Sequence, residues 1–218
     1  MRLVTIVAAV FLSTVALTLD IPSQRDASAN VPTPPAAKTG APGETHCGSC
    51  HAGNSGNQTV TLTAVPPITE YIPGNTYNIA VGLDDPGMIR WGFEATALKD
   101  SDDSMAGTFG ILVDPHVTTL SAGGRTYTCH TTNGAVTPNI PTDGTWWGTQ
   151  DGPVAWVFTW TAPAQGAGDV TFWAATVSAD GDNSASGDNT YTVSMTLTEG
   201  TPVPVTSTTW GKIKKRYQ

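Results

Sequence analysis

Between residues 59 and 197 apolar and polar positions alternate in short runs, broken by turn chemistry at Pro73-Gly74-Asn75, Asp85-Pro86-Gly87, Gly123-Gly124 and Asp143-Gly144. A period of two sends successive side chains to opposite faces of an extended chain, so each run is a predicted half-buried strand. The clearest covers residues 154–160, with Val154, Trp156, Phe158 and Trp160 on one face. Residues 77–83 present Tyr77, Ile79, Val81 and Leu83 in the same way, and residues 191–197 present Tyr191, Val193, Met195 and Leu197. Shorter runs at 59–64, 91–98, 108–113, 126–131 and 170–176 bring the total to about eight strands, a number and spacing that suit two packed antiparallel sheets. Helical windows are confined to the short segment around Cys47 and to the C-terminal tail. The expected fold class is all-β.

The ends of the chain follow other rules. Arg2 precedes an apolar run from residue 3 to residue 19, interrupted by Thr5, Ser13, Thr14 and Thr18. A basic start before such a run reads as an export signal, with the small residues Ala27, Ser28 and Ala29 as its cleavage site. An uncleaved anchor is the alternative, because about 20 apolar residues span a bilayer. Either way the remainder is expected to be exported, to the periplasm, the cell surface or the medium. Pro- and Ala-rich residues 30–38 read as an extended linker. The expected organisation is a signal peptide at 1–29, that linker at 30–38, a cysteine- and histidine-bearing segment at 39–57, a β-sandwich at 58–199, and a second linker with a tail at 200–218.

Charge narrows the partners. The chain carries a net charge of −8, and its 39–200 body contains Arg90, Lys99 and Arg125 as its only basic residues, whereas most of the 18 acidic residues lie there. Such a body disfavours nucleic acid and anionic lipid and accepts a basic redox partner or a divalent cation. The tail reverses the sign with Lys212, Lys214, Lys215 and Arg216. Trp210, Ile213 and Tyr217 recur there near helical spacing, which suits a basic amphipathic turn touching a membrane or an export receptor, or else a frayed terminus.

Cys47-Gly48-Ser49-Cys50-His51 fits CxxCH, the attachment pattern of one covalent haem c. Each thiol adds to one vinyl group of the porphyrin, two intervening residues let both sulfurs reach the same edge, and the imidazole that follows binds iron. A redox dithiol needs only CxxC, and a zinc site needs a further ligand pair; neither accounts for His51 behind an export signal. The cofactor-binding residues expected are therefore Cys47, Cys50 and His51.

A porphyrin edge left in water is costly, so the β body is expected to shelter it and to supply the sixth iron ligand. His116, His130, Met88 and Met105 are the candidates. In the 126–131 run Tyr127 and Cys129 share a face and His130 takes the other; if the first two line the core, His130 faces outward onto the sheet surface, where it can ligate. His116 follows Asp114-Pro115 and reads as a loop residue, the two methionines read as packing, and His46 is badly placed to reach the same iron. Cys129 is left over as a small buried residue or an intermolecular disulfide partner.

Asp180, Asp182 and Asp188 sit in an oxygen-rich loop whose ligand types suit Ca²⁺, although Ala185 and Tyr191 stand where an EF-hand needs glycine and glutamate; a solvated loop is the plainer reading. The chain has no GxSxG, HExxH or Walker loop, so a hydrolytic enzyme is not expected. A haem peroxidase would need His130 off the iron and a basic or acidic distal group nearby, and the only arginines on offer for that place are Arg90 and Arg125.

The stretches TGAPGETHCGSCHAG at 39–53, YIPGNTYNIAVGLDDPGMIRWGFEATAL at 71–98, RTYTCHTT at 125–132, FTWTAPAQGAGDVTFWAATVSADGDNSASGD at 158–188 and the tail TTWGKIKKRYQ together resemble the choice-of-anchor V family. These are exported bacterial proteins in which a reelin-like (reeler) domain stands behind a haem-binding CxxCH. The resemblance implies an immunoglobulin-like β-sandwich with an N-terminal haem-binding loop segment, a surface location, a sorting or anchoring tail, and a histidine after the Arg-x-Tyr strand, here His130, as a metal ligand. Cys129 departs from the polar or acidic residue expected beside it. The function expected is electron transfer by a monohaem c-type cytochrome-like protein; the alternative is a cell-surface structural or adhesion protein with haem in a stabilising or sensing role.

Overall fold

The computed structural model describes residues 33–51, 58–111, 116–131, 153–182 and 184–202. The predicted signal, most of the tail and the Asp143-Gly144 turn lie outside the described residues. Among the described residues ten strands run in chain order: β1 (Thr59–Val65), β2 (Glu70–Tyr71), β3 (Thr76–Asp84), β4 (Arg90–Lys99), β5 (Thr108–Gly110), β6 (Val117–Ala122), β7 (Arg125–His130), β8 (Val154–Thr161), β9 (Val170–Ala179) and β10 (Asn189–Glu199). All eight predicted runs contain a strand, the 108–113 run over Thr108–Gly110 with its last two positions outside the described residues. The two additions, β2 and β6, are a two-residue strand and a polar one, and neither has an apolar period to read.

The strands form a four-stranded sheet in the order β1-β3-β8-β5 and a six-stranded sheet in the order β2-β10-β9-β4-β7-β6. Pairing is antiparallel except between β2 and β10. The chain is therefore all-β, a sandwich of two sheets, as expected.

The faces expected to be apolar meet between the sheets. Ile79, Val81 and Leu83 from β3 and Trp156, Phe158 and Trp160 from β8 lie against Trp91, Phe93, Ala95 and Ala97 from β4 and Val170, Phe172 and Ala174 from β9. Rings from opposite sheets interlock: Phe93 stacks on Trp156 with centroids 4.7 Å apart, and Trp160 meets Phe172 edge-on at 4.8 Å. Such pairs add about 0.5–1.5 kcal/mol each beyond the burial of their area.

On β4 alternation fails as a guide, because both faces are buried: Glu94, Thr96 and Leu98 are covered as fully as Phe93 and Ala95. The covering comes partly from residues 38–47, which cross the outer face of the six-stranded sheet, where the Lys38 N–H donates to Glu94 Oε2 at 2.5 Å. That crossing positions the site described next.

Candidate haem-attachment site

A tight loop and a carboxylate clamp hold the N-terminal segment down. Thr39 pairs with His46, and Gly40, at φ +77°, donates from its N–H to the Thr45 carbonyl at 2.9 Å. Glu44 collects the side chains beneath it: Arg125 Nη1 donates to Oε1 at 2.6 Å, the Tyr127 hydroxyl donates to Oε1 at 2.9 Å, and the Thr39 hydroxyl donates to Oε2 at 2.5 Å. Arg125 also donates to the Pro42 and Asp103 carbonyls, both at 3.0 Å. A guanidinium occupied in this way is a fastener.

Cys47–Ser49 form a single 3-10 turn, whose N-cap His46 accepts the Gly48 N–H on Nδ1 at 3.1 Å. A side chain at Gly48 would strike the His46 ring at 2.5 Å and the Thr190 hydroxyl at 3.0 Å, so the first of the two residues between the cysteines has to be small. The turn rests on β9 and β10. Cys47 is buried in a small apolar cluster with Ala175 and Val177, while Cys50 is half-buried. Both thiols are free. Burial, followed by the negative charge of Glu94, pushes the Cys47 thiol up to about 12.

His51 leaves the turn toward the start of β10, where its Nδ1 meets Asp188 Oδ2 at 2.5 Å. Asp188 is only 1% exposed and His51 is partly buried, so the carboxylate end of this bond is shielded from water. With the proton on Nδ1 and donated to the carboxylate, the lone pair of the ring is on Nε2, the atom a metal would take. The donor set fits a covalent haem: two reduced thiols at one turn, and an imidazole fixed through its other nitrogen.

The expected faces of β7 need correcting. Tyr127 and Cys129 do not line the sandwich core: Cys129 pairs with Glu94, so both lie on the outer face, and the Tyr127 hydroxyl is spent on Glu44. The sequence run has apolar character on that face because the N-terminal segment covers it. Cys129 is fully buried there, and burial raises its thiol to about 12, which suits a small packed residue.

His130 is itself buried rather than displayed on an open surface. The β4–β7 ladder ends at Glu94 and Cys129, and the His130 ring takes over beyond it, with Nδ1 3.1 Å from the Phe93 nitrogen and 3.2 Å from the Phe93 carbonyl oxygen. Ligation through Nε2 requires the second arrangement, with the Nδ1 proton donated to that carbonyl. Gly92 makes room for it: a Cβ there would lie 2.9 Å from His130 Cε1 and 3.1 Å from Val177 Cγ1. The His130 ring thus reaches the neighbourhood of Val177, the same residue that packs on Cys47.

The other sixth-ligand candidates are placed elsewhere. Met105 Sδ accepts from the Thr96 hydroxyl at 3.8 Å and the Thr126 N–H at 3.5 Å, and Met88 packs on the core, so both serve packing. His116 is buried, and its carbonyl accepts the Thr131 N–H at 2.9 Å. Asp180, Asp182 and Asp188 do not converge: Asp180 and Asp182 accept backbone N–H groups within their own loop while Asp188 holds His51, and no group of three metal-ligating side chains forms among the described residues.

No protein-family model matches the chain. No curated protein matches it either. Among solved structures it is similar to the reeler domain of human F-spondin, at 19% identity and a TM-score of 0.45 over 67% of this chain and 92% of that one. The Reelin-N domain of F-spondin gives 20% identity and the same TM-score over 67% and 90%. AvmM, described as catalysing macrocyclization in alchivemycin A biosynthesis, gives 17% identity and a TM-score of 0.40 over 70% and 93%.

Three residues of the site escaped sequence reading. Glu94 had a signal, a lone charge inside the apolar run Trp91 to Leu98. Glu44 had none, because its partners on β7 lie 81 and 83 residues away, and Asp188 was singled out only for a calcium loop, because His51 lies 137 residues from it.

Proposed function

We propose that this chain is an exported monohaem c-type electron-transfer protein, in which Cys47 and Cys50 would carry the thioether links and His51 and His130 would bind the iron. The observation that carries the reading is the placement of the CxxCH turn, with the Cys47 thiol buried against Ala175 and Val177. Both rival uses of the two thiols, a zinc site and a redox dithiol, need a thiolate. Burial at Cys47 disfavours that charge, whereas an uncharged thioether sits well among aliphatic side chains.

Bound haem would supply a one-electron couple, and two protein ligands would leave iron without an open position. The chain's own part is to hold and shield. Cys47 and Cys50 fix the edge, Ala175 and Val177 exclude water from it, and the Glu44 clamp keeps the segment on the sheet. The acidic body supports a basic redox partner. The adhesive alternative calls for a broad exposed apolar patch. Among the described residues only Val65 and Ile111 are exposed large hydrophobics, so no observation favours it.

The test is the pyridine haemochrome and reduced-minus-oxidised spectrum of the full chain exported together with a haem c maturation system. Covalent c-type haem is expected in the wild type and not in the Cys47→Ala, Cys50→Ala double variant. Low-spin spectra turning high-spin in His130→Ala would support the second ligand. Wild-type protein without covalent haem refutes the proposal, and a wild type that is already high-spin refutes ligation by His130.

A further inference from the structure

We infer that Asp188 is a positioning residue that sets the reduction potential of the site through His51, an inference that rests on the proposed function above. Asp188 lies one residue before β10 and is almost completely buried, with Oδ2 on His51 Nδ1 at 2.5 Å. Its Oδ1 is buried with no hydrogen-bond partner among the described residues. A desolvated carboxylate bonded to a single imidazole N–H concentrates its charge on that ring.

The fold holds this contact from both sides. On the β10 side the next residue, Asn189, donates from Nδ2 to Asp85 Oδ2 at 3.0 Å, the Tyr191 hydroxyl donates to the same oxygen at 2.8 Å, and the Ser178 hydroxyl donates to it as well. Asp85 is itself buried, so the start of β10 is fastened to the end of β9 and to the loop after β3. Gly187, at φ +89°, turns the chain into Asp188; a Cβ there would stand 2.9 Å from Asp180 Oδ2. On the other side His51 is anchored through the turn by its own N–H, which donates to the Cys47 carbonyl at 3.0 Å. The backbone of each partner is thus held in place on its own side of the contact.

Two effects follow for a metal at Nε2. The proton is held on Nδ1, which presents the Nε2 lone pair, and the pull of the carboxylate on that proton gives the ring partial negative character. A more electron-rich imidazole favours ferric over ferrous iron, so the potential is lower than a neutral partner for Nδ1 would allow. This differs from shelter or attachment, because it acts on the redox equilibrium and not on whether haem is held.

Asp188→Asn keeps the shape and an acceptor oxygen and removes the charge. Spectroelectrochemical titration of the haem-loaded full chain is expected to show the ferrous-to-ferric ratio at a given applied potential raised about tenfold, a potential about 59 mV higher for one electron. Because the variant could fail to fold, the wild type supplies a second readout. In its diamagnetic ferrous form the His51 Nδ1 proton is expected far downfield and slow to exchange with deuterium, as a proton shared with a buried carboxylate. An unchanged potential in a variant that carries covalent haem, or a His51 Nδ1 proton that exchanges as fast as that of free imidazole, overturns this inference and leaves the proposed function standing. A wild type without covalent haem overturns both.

Discussion

Replacing Glu94 by Gln keeps the shape of a fully buried side chain and removes its charge. Burial is the largest influence on this carboxyl, the Lys38 N–H bond opposes it, the charge of Glu44 adds to it, and the result is a rise from 4.5 to about 7. Oε1 has no hydrogen-bond partner among the described residues. An acid whose pKa is raised by folding binds its proton more tightly folded than unfolded. Its contribution is therefore fully present below 4.5 and is lost as pH climbs through about 7. Between about pH 5 and about pH 8 the loss comes to about 2–3 kcal/mol, at 1.36 kcal/mol for each pKa unit. Guanidinium unfolding of wild type and Glu94→Gln, followed by the fluorescence of the buried tryptophans, measures it. The buried amide of Gln leaves donors unpaired at a cost of about 1–3 kcal/mol, but that offset is the same at every pH. Titrating groups remote from Glu94 are common to both proteins and cancel in the difference, and the two thiols that its charge raises, Cys47 and Cys129, titrate above this interval. The variant is expected to gain on the wild type by those 2–3 kcal/mol over the same pH interval. If the two stability curves run parallel, Glu94 does not titrate there and the burial argument is wrong.

Two further outcomes test how the site is held. Glu44→Ala strips Arg125, Tyr127 and Thr39 of their shared acceptor and is expected to cost about 3 kcal/mol, read by guanidinium unfolding; limited proteolysis should also cut before His46 faster than in the wild type, and unchanged cleavage would show that Glu44 is not the clamp. Gly92→Ala pushes a methyl group into the His130 ring and Val177, with an expected loss of about 1–3 kcal/mol by thermal melting, and an unperturbed melting temperature would show that the ring is not packed there.

The sequence alone determined the class of fold and the placing of two thiols and a histidine on one turn. Alternation in residues 77–83 and 154–160 was sufficient because each of those strands has one buried face and one wetter one, and period two reports that difference directly. The CxxCH motif was legible because its chemistry is local: two thiols and an imidazole within five residues need no fold to bring them together. Where a second layer covers the sheet, the same reading failed. Tyr127 and Cys129 look like core residues, and they are buried, but under the N-terminal segment and not between the sheets; a period of two detects burial without saying what does the burying. Tertiary structure also decided every long-range partner. Asp188 had the composition of a calcium loop until the start of β10 carried it to His51, and Glu44 had no signal until β7 rose to meet it. A carboxylate's role depends on which charge or N–H group it faces in a dry site, and that is set by pairing register and by chain crossings that no local pattern contains.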